Sequence, residues 1–190
     1  MPDEASAGDY AAMIEDLRGF LDRLSSARPS PEAVRCLREA LTGWSAELDR
    51  SQVPEHDRVF GRLAGLPGRG QTMSPRLEIV ETGPDGSRGT VRFGRYHLGR
   101  NGAAHGGSIP LVFDEILGQV ARVNGRSLAR TAYLRVDYRS ITPIDRDLEI
   151  SARLVSVTGR KYVVAGELRD GPVLCAEAEA LFVELRPGRP

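Results

Sequence analysis

The chain has 190 residues, of which 41% are apolar and 27% charged, enough for one ordinary buried core. Twenty-six basic residues balance twenty-six acidic ones, which excludes a global field for drawing in nucleic acid or an anionic membrane and confines any anion binding to a local site. Cys36 and Cys175 are too few and too distant for a disulfide scaffold or a metal-ligand spacing, and histidines scattered at 56, 97 and 105 do not suggest zinc, so neither metal nor cofactor is expected. Acids at Asp3, Glu4, Asp9, Glu15 and Asp16 leave no room for the basic and apolar regions of a signal peptide, and no window is apolar for long enough to cross a bilayer. The cytoplasm is the expected compartment.

From Asp9 to Leu24, apolar residues at Tyr10, Met13, Ile14, Leu17, Phe20, Leu21 and Leu24 recur every three or four positions, the period of a helix. Arg28-Pro29-Ser30-Pro31 interrupts it. Ser30, Pro31 and Glu32 then read as an N-cap, a first-turn proline and an early acid, opening a second helix marked by Val34, Leu37, Leu41, Trp44 and Leu48. Residues 1–55 are therefore expected to form a helical hairpin, whose apolar stripes require cover from the following domain or from a second subunit.

Residues 56–73, rich in Gly, Pro and charge, read as a connector, most flexible at Leu66-Pro67-Gly68-Arg69-Gly70. A separate domain is expected over 74–186. It opens with a hairpin whose strands include Leu77 and Ile79, then Thr90 to His97, around the turn Gly83-Pro84-Asp85-Gly86. Residues 109–120 are apolar on nearly every side and predict a helix enclosed by protein. Strands follow at 130–140, 148–157, 162–169 and 173–185, the last three joined by tight turns at Thr158-Gly159-Arg160-Lys161 and Asp170-Gly171-Pro172. The fold class is α+β, one antiparallel sheet curled around a central helix.

The chemistry gathers where the segment Asn101 to Ser108, with paired Gly106-Gly107, enters that helix. Exposed backbone N–H groups at a helix N-terminus can hold an anion or a developing oxyanion. Asp114, nine residues beyond His105, falls in an apolar helix, where a carboxylate is costly without a partner or a task. Spacing alone does not choose between Asp114 and Glu115.

The stretch from His105 to Gly118, HGGSIPLVFDEILG, resembles the signature of hotdog-fold thioesterases of the phenylacetate-degradation type. Thr131, Leu134, Val136, Tyr138, Pro143, Gly159-Arg160 and Cys175-Ala176-Glu177-Ala178 are similar to the same family, so the resemblance spans about residues 72 to 186. It implies hydrolysis of an acyl-CoA, or of an acyl-carrier-protein thioester, at a site shared between two subunits of a homodimer or a dimer of dimers. By position, the Gly106 N–H would meet the thioester carbonyl oxygen and His105 would shape the loop. Asp114 would be nucleophile or general base, and Thr131 would orient the water or the carboxylate. Asn101, Gly107 and Arg139 would contact substrate, and Gly159, Arg160 and Lys161 would line the nucleotide end of CoA. Many relatives carry an asparagine six residues before the histidine; here that position is Gly99, so that either Asn101 or His97 takes over part of its role or this branch works without it. The alternative is a regulatory protein that binds acyl-CoA without turnover.

Overall fold

A computed structural model describes residues 4–63, 65–123 and 129–186. Two helices come first, α1 (Glu4–Ser25) and α2 (Pro31–Asp49), and the cap is the one expected, with Ser30 extended and its Oγ accepting from the Ala33 N–H at 3.1 Å. The two behave differently. α1 packs on the body of the protein through Ile14 and Arg18, both nearly inaccessible, whereas α2 has no buried residue and leaves Val34, Leu41, Trp44 and Leu48 exposed. Cover for α2 therefore does not come from the described residues of its own chain.

The connector corrects the expectation of a flexible segment. Two short 3-10 turns, Glu55–Asp57 and Pro67–Arg69, interrupt it, and Gly68, Gly70, Gln71 and Ser74 are buried. What fixes it is a cation: the Arg18 guanidinium donates to the carbonyls of Gln71 and Ser74. Paired main-chain carbonyls hold the segment where its composition promised freedom.

Six strands follow, β1 (Arg76–Thr82), β2 (Gly86–Arg92), β3 (Ala129–Tyr138), β4 (Asp147–Thr158), β5 (Lys161–Asp170) and β6 (Val173–Glu184), with the helix α3 (Ser108–Val123) between β2 and β3. They form one antiparallel sheet in the order β1-β2-β4-β5-β6-β3, so β1 and β3 are its edges. Alternation along β4, β5 and β6 turns one face inward, with Leu148, Ile150, Val164, Leu168, Ala176, Ala178, Ala180 and Phe182 all buried. Onto that face α3 lays Val112, Phe113, Ile116, Leu117 and Val120, each fully inaccessible. The alanines of β6 let the helix approach closely. Burying one such large apolar side chain contributes roughly 1.5–3 kcal/mol, and the sheet wrapped on its helix is the α+β arrangement expected from the sequence. Among the described residues, no helix is long and apolar enough to cross a membrane.

Candidate functional site

Between a 3-10 turn at Arg95–His97 and α3, the chain makes a tight loop closed by a bridge from Leu98 to Ala104. The His105 N–H donates to the His97 carbonyl at 2.7 Å, and the Ala104 N–H to the Thr142 carbonyl at 2.8 Å. The His105 carbonyl in turn accepts from both the N–H and the Oγ of Ser108, at 2.9 and 2.7 Å, which caps the start of α3. Gly107 donates its N–H to His105 Nδ1 at 3.0 Å, and the Tyr138 hydroxyl donates to the Gly106 carbonyl at 2.7 Å. The two glycine amides are thereby distinguished. Gly107 is committed to the histidine, whereas the Gly106 N–H has no acceptor among the described residues and lies beside the positive end of α3.

The two carboxylates that spacing left open differ in which side of α3 they occupy. Asp114 is exposed, and the Thr131 hydroxyl on β3 donates to its Oδ1 at 2.8 Å. Glu115, one position and about 100° further around the helix, points elsewhere and is shared by Arg69 at 3.7 Å and Arg122 at 3.8 Å. Its charge is already answered. This also corrects the reading of Asp114 as a buried acid: α3 is apolar on the faces that meet the sheet, and Asp114 occupies the remaining one.

The other expected site residues do not converge. Asn101 sits at an exposed, left-handed turn with φ of 53°, and Arg139 is held by the Glu177 carboxylate, whose hydrogen bond and charge push the guanidinium pKa up. The turn Gly159-Arg160-Lys161 lies at the opposite end of β6: Lys161 pairs with Val183, while the Arg139 N–H donates to the Cys175 carbonyl. Eight residues of strand separate the two, about 26 Å. That turn is instead beside Thr131, because Tyr162, Phe182 and Thr131 share one row across β5, β6 and β3, spanning about 10 Å. Arg160 is occupied by the Glu184 carbonyl at 2.7 Å.

Gly99 lies against the backbone of His105, where a Cβ would come within 3.1 Å of its Cα. An asparagine at 99 would require the loop to shift. His97 does not offer its side chain to the loop surface either, since its imidazole is buried, edge-on to Phe93 and 4.0 Å from the Tyr96 ring, with neither nitrogen hydrogen-bonded. Burial, reinforced by the Arg18 charge, lowers its pKa to about 4. Tyr138 entered the sequence reading only as part of the pattern similar to the thioesterase family, with no role assigned, and nothing in an alternating strand announces a hydroxyl aimed at Gly106.

Within one chain the two reactive elements stand apart. Asp114 follows Gly106 by eight residues of mainly helical chain, about 12 Å, and their supports Thr131 and Tyr138 lie about 23 Å apart along β3.

Comparison with known proteins gives concordant matches. Residues 101–176 match the family model described as Thioesterase superfamily. The rat acyl-coenzyme A thioesterase THEM4 is 33% identical over 100 residues, 51% of this chain and 43% of that protein, so the chain spans less than half the length of the curated relatives it matches. A solved thioesterase superfamily protein superposes with a TM-score of 0.76 at 26% identity, covering 92% of this chain and 94% of its own. A mutant of the phenylacetic acid degradation protein PaaI from Thermus thermophilus shares the fold, with a TM-score of 0.53 at 22% identity over 57% of this chain and 93% of its own.

Proposed function

We propose that the chain is a hotdog-fold thioesterase, as its match to the thioesterase family model over residues 101–176 supports, and that it hydrolyses acyl-CoA to free acid and CoA. The observation that carries the reading is a division of labour between the loop and the helix: the Gly106 N–H has no acceptor among the described residues and lies at the N-terminus of α3, while the exposed Asp114 carboxylate further along α3 accepts from the Thr131 hydroxyl. Asp114, as nucleophile or as general base for water, delivers the attacking oxygen to the thioester carbon. Negative charge then builds on the carbonyl oxygen, where the Gly106 N–H and the α3 dipole meet it. Collapse of the tetrahedral species breaks the carbon–sulfur bond and releases CoA as the thiolate; where Asp114 activated a water, the free acid forms directly and the proton Asp114 took passes to the thiolate, and where Asp114 itself attacked, water then hydrolyses the acyl-aspartyl anhydride to free acid, regenerates the carboxylate and supplies that proton.

Since one chain separates its donor from its carboxylate by about 12 Å, the working site pairs Gly106 of one subunit with Asp114 of another, in a homodimer or a dimer of dimers. The open edge of β3, which carries Thr131 and Tyr138, is the natural seam. The hairpin Gly159-Arg160-Lys161 receives the phosphate-bearing end of CoA; its support is its position in the Thr131 row and its cations. An acyl-carrier protein presenting the same thioester is the other substrate to compare.

Thiol release from a panel of acyl-CoA esters of increasing chain length tests the reading. Turnover of at least one ester is expected, with Glu115→Gln within about threefold of wild type because its charge serves Arg69 and Arg122. Tyr138→Phe is expected to lower kcat about tenfold by releasing the Gly106 carbonyl, with the oxyanion donor then free to drift. Tight binding of CoA esters with no release of thiol from any of them would replace the enzyme by a regulatory acyl-CoA-binding protein.

A further inference from the structure

We infer that α1 braces the oxyanion loop, with Arg18 and Asp22 as positioning residues. The inference rests on the thioesterase reading for its catalytic consequence and on hydrogen bonds alone for its structural one.

Arg18 is 6% exposed, rare for an arginine; its Nε lies 3.7 Å from the Glu15 carboxylate on the same helix, and its hydrogen bonds go to main-chain and phenolic acceptors. Its guanidinium donates to the Ser74 carbonyl at 3.2 Å, to the Gln71 carbonyl, and to the Tyr96 hydroxyl at 3.2 Å. The Tyr96 hydroxyl passes its own proton to the Thr72 carbonyl at 3.2 Å. One turn further along α1, the Asp22 carboxylate accepts the Tyr96 N–H at 3.1 Å. Gly94 allows this approach, since a Cβ there would sit 2.5 Å from Asp22 Oδ1. α1 thus grips the 3-10 turn at Arg95–His97 by its side chain and by its backbone.

That turn is the wall of the oxyanion loop. The His97 carbonyl accepts the His105 N–H at 2.7 Å, and His105 immediately precedes Gly106. Moving the turn moves His105, and with it the one N–H that faces the thioester. Side chains already anchored to Tyr96 hold this relay from 78 positions away in sequence, outside the residues that match the family model. A helix that served only to cover apolar surface would need Ile14 and its neighbours, and would have no use for a buried cation and a carboxylate aimed at one turn.

Arg18→Met and Asp22→Ala, which removes the acceptor of the Tyr96 N–H, compared with Ile14→Ala, separate bracing from docking. Ile14 is 2% exposed and anchors the same helix by apolar contact alone. Two readouts are taken: amide hydrogen exchange over residues 98–107 by mass spectrometry, and kcat and KM for the best acyl-CoA ester, well below each variant's Tm. Exchange in the loop is expected to rise about tenfold or more in Asp22→Ala and Arg18→Met, with kcat down about tenfold and KM within about twofold. Ile14→Ala is expected to lower Tm while leaving loop exchange and kcat close to wild type, and Arg18→Lys to recover part of the kcat lost in Arg18→Met. Unchanged loop exchange in both brace variants overturns the inference whatever the activity, as does faster exchange with kcat unaltered. Should Arg18→Met not fold, Asp22→Ala alone decides. Absence of acyl-CoA turnover in the wild type is the failure of the thioesterase reading instead, and the exchange data then decide the brace by themselves.

Discussion

Asp114→Asn is expected to reduce kcat for acyl-CoA hydrolysis by about 10³-fold, with KM changed by no more than about twofold. Asparagine has the same shape and still offers an oxygen to the Thr131 hydroxyl, so the Asp114–Thr131 contact at 2.8 Å survives the change. Asp114 is exposed, so its neutralisation leaves no uncompensated buried group, and thermal stability is expected to move little. What disappears is the basicity or nucleophilicity of the carboxylate. Glu115 cannot substitute, because it faces Arg69 and Arg122 from a different side of α3. Single-substrate kinetics beside Glu115→Gln make the check: a residual kcat within about tenfold of wild type would remove Asp114 from the chemistry.

Folding stability is expected to fall as the pH drops from 6.5 towards about 4, the interval between the ordinary histidine pKa and the lowered value of folded His97. The sign follows from proton counting. In that window the unfolded chain binds a proton at His97 and the folded chain does not, so stability rises with pH and is fully present only above the unfolded value. Burial is the main cause and the Arg18 charge adds to it, while Asp22 opposes both. The loss amounts to up to about 3 kcal/mol at the acid end. His97→Phe, which keeps an aromatic ring beside Tyr96 and Phe93 and removes nitrogens that have no partner, is expected to flatten this part of the profile. Denaturant unfolding of both proteins at several pH values from 4 to 7 measures it, and parallel curves would show that His97 is not the group responsible.

Sequence made the enclosed helix and its loop legible because their signals are local. An apolar run from Ile109 to Val120, led by paired glycines and a histidine, needs no knowledge of the rest of the chain. Choosing Asp114 over Glu115 was beyond spacing, since neighbours on a helix differ only in the face they present and the open face is set by how β3 runs beside α3. Arg18 was harder still. In sequence it is one arginine on an amphipathic helix, and its partners Gln71, Ser74 and Tyr96 lie 53 to 78 positions on. The connector defeats a reading by composition for the same reason, because its fixing groups lie on α1 and Gly/Pro content reports only what the backbone is free to do. For α2, periodicity announced the helix and its apolar stripe, but the surface that covers such a stripe is written elsewhere.

The grip of Arg18 on Gln71, Ser74 and Tyr96 bears on where this protein can be cut. A boundary drawn at the first strand, Arg76, would keep every residue of the sheet and of the reactive loop, yet would strip a donor from Tyr96, a carboxylate from its amide and the ceiling from His97. The sheet and its helix are thus not a portable cassette: the stretch that matches the family model, residues 101–176, is smaller than the mechanical unit, which begins on α1.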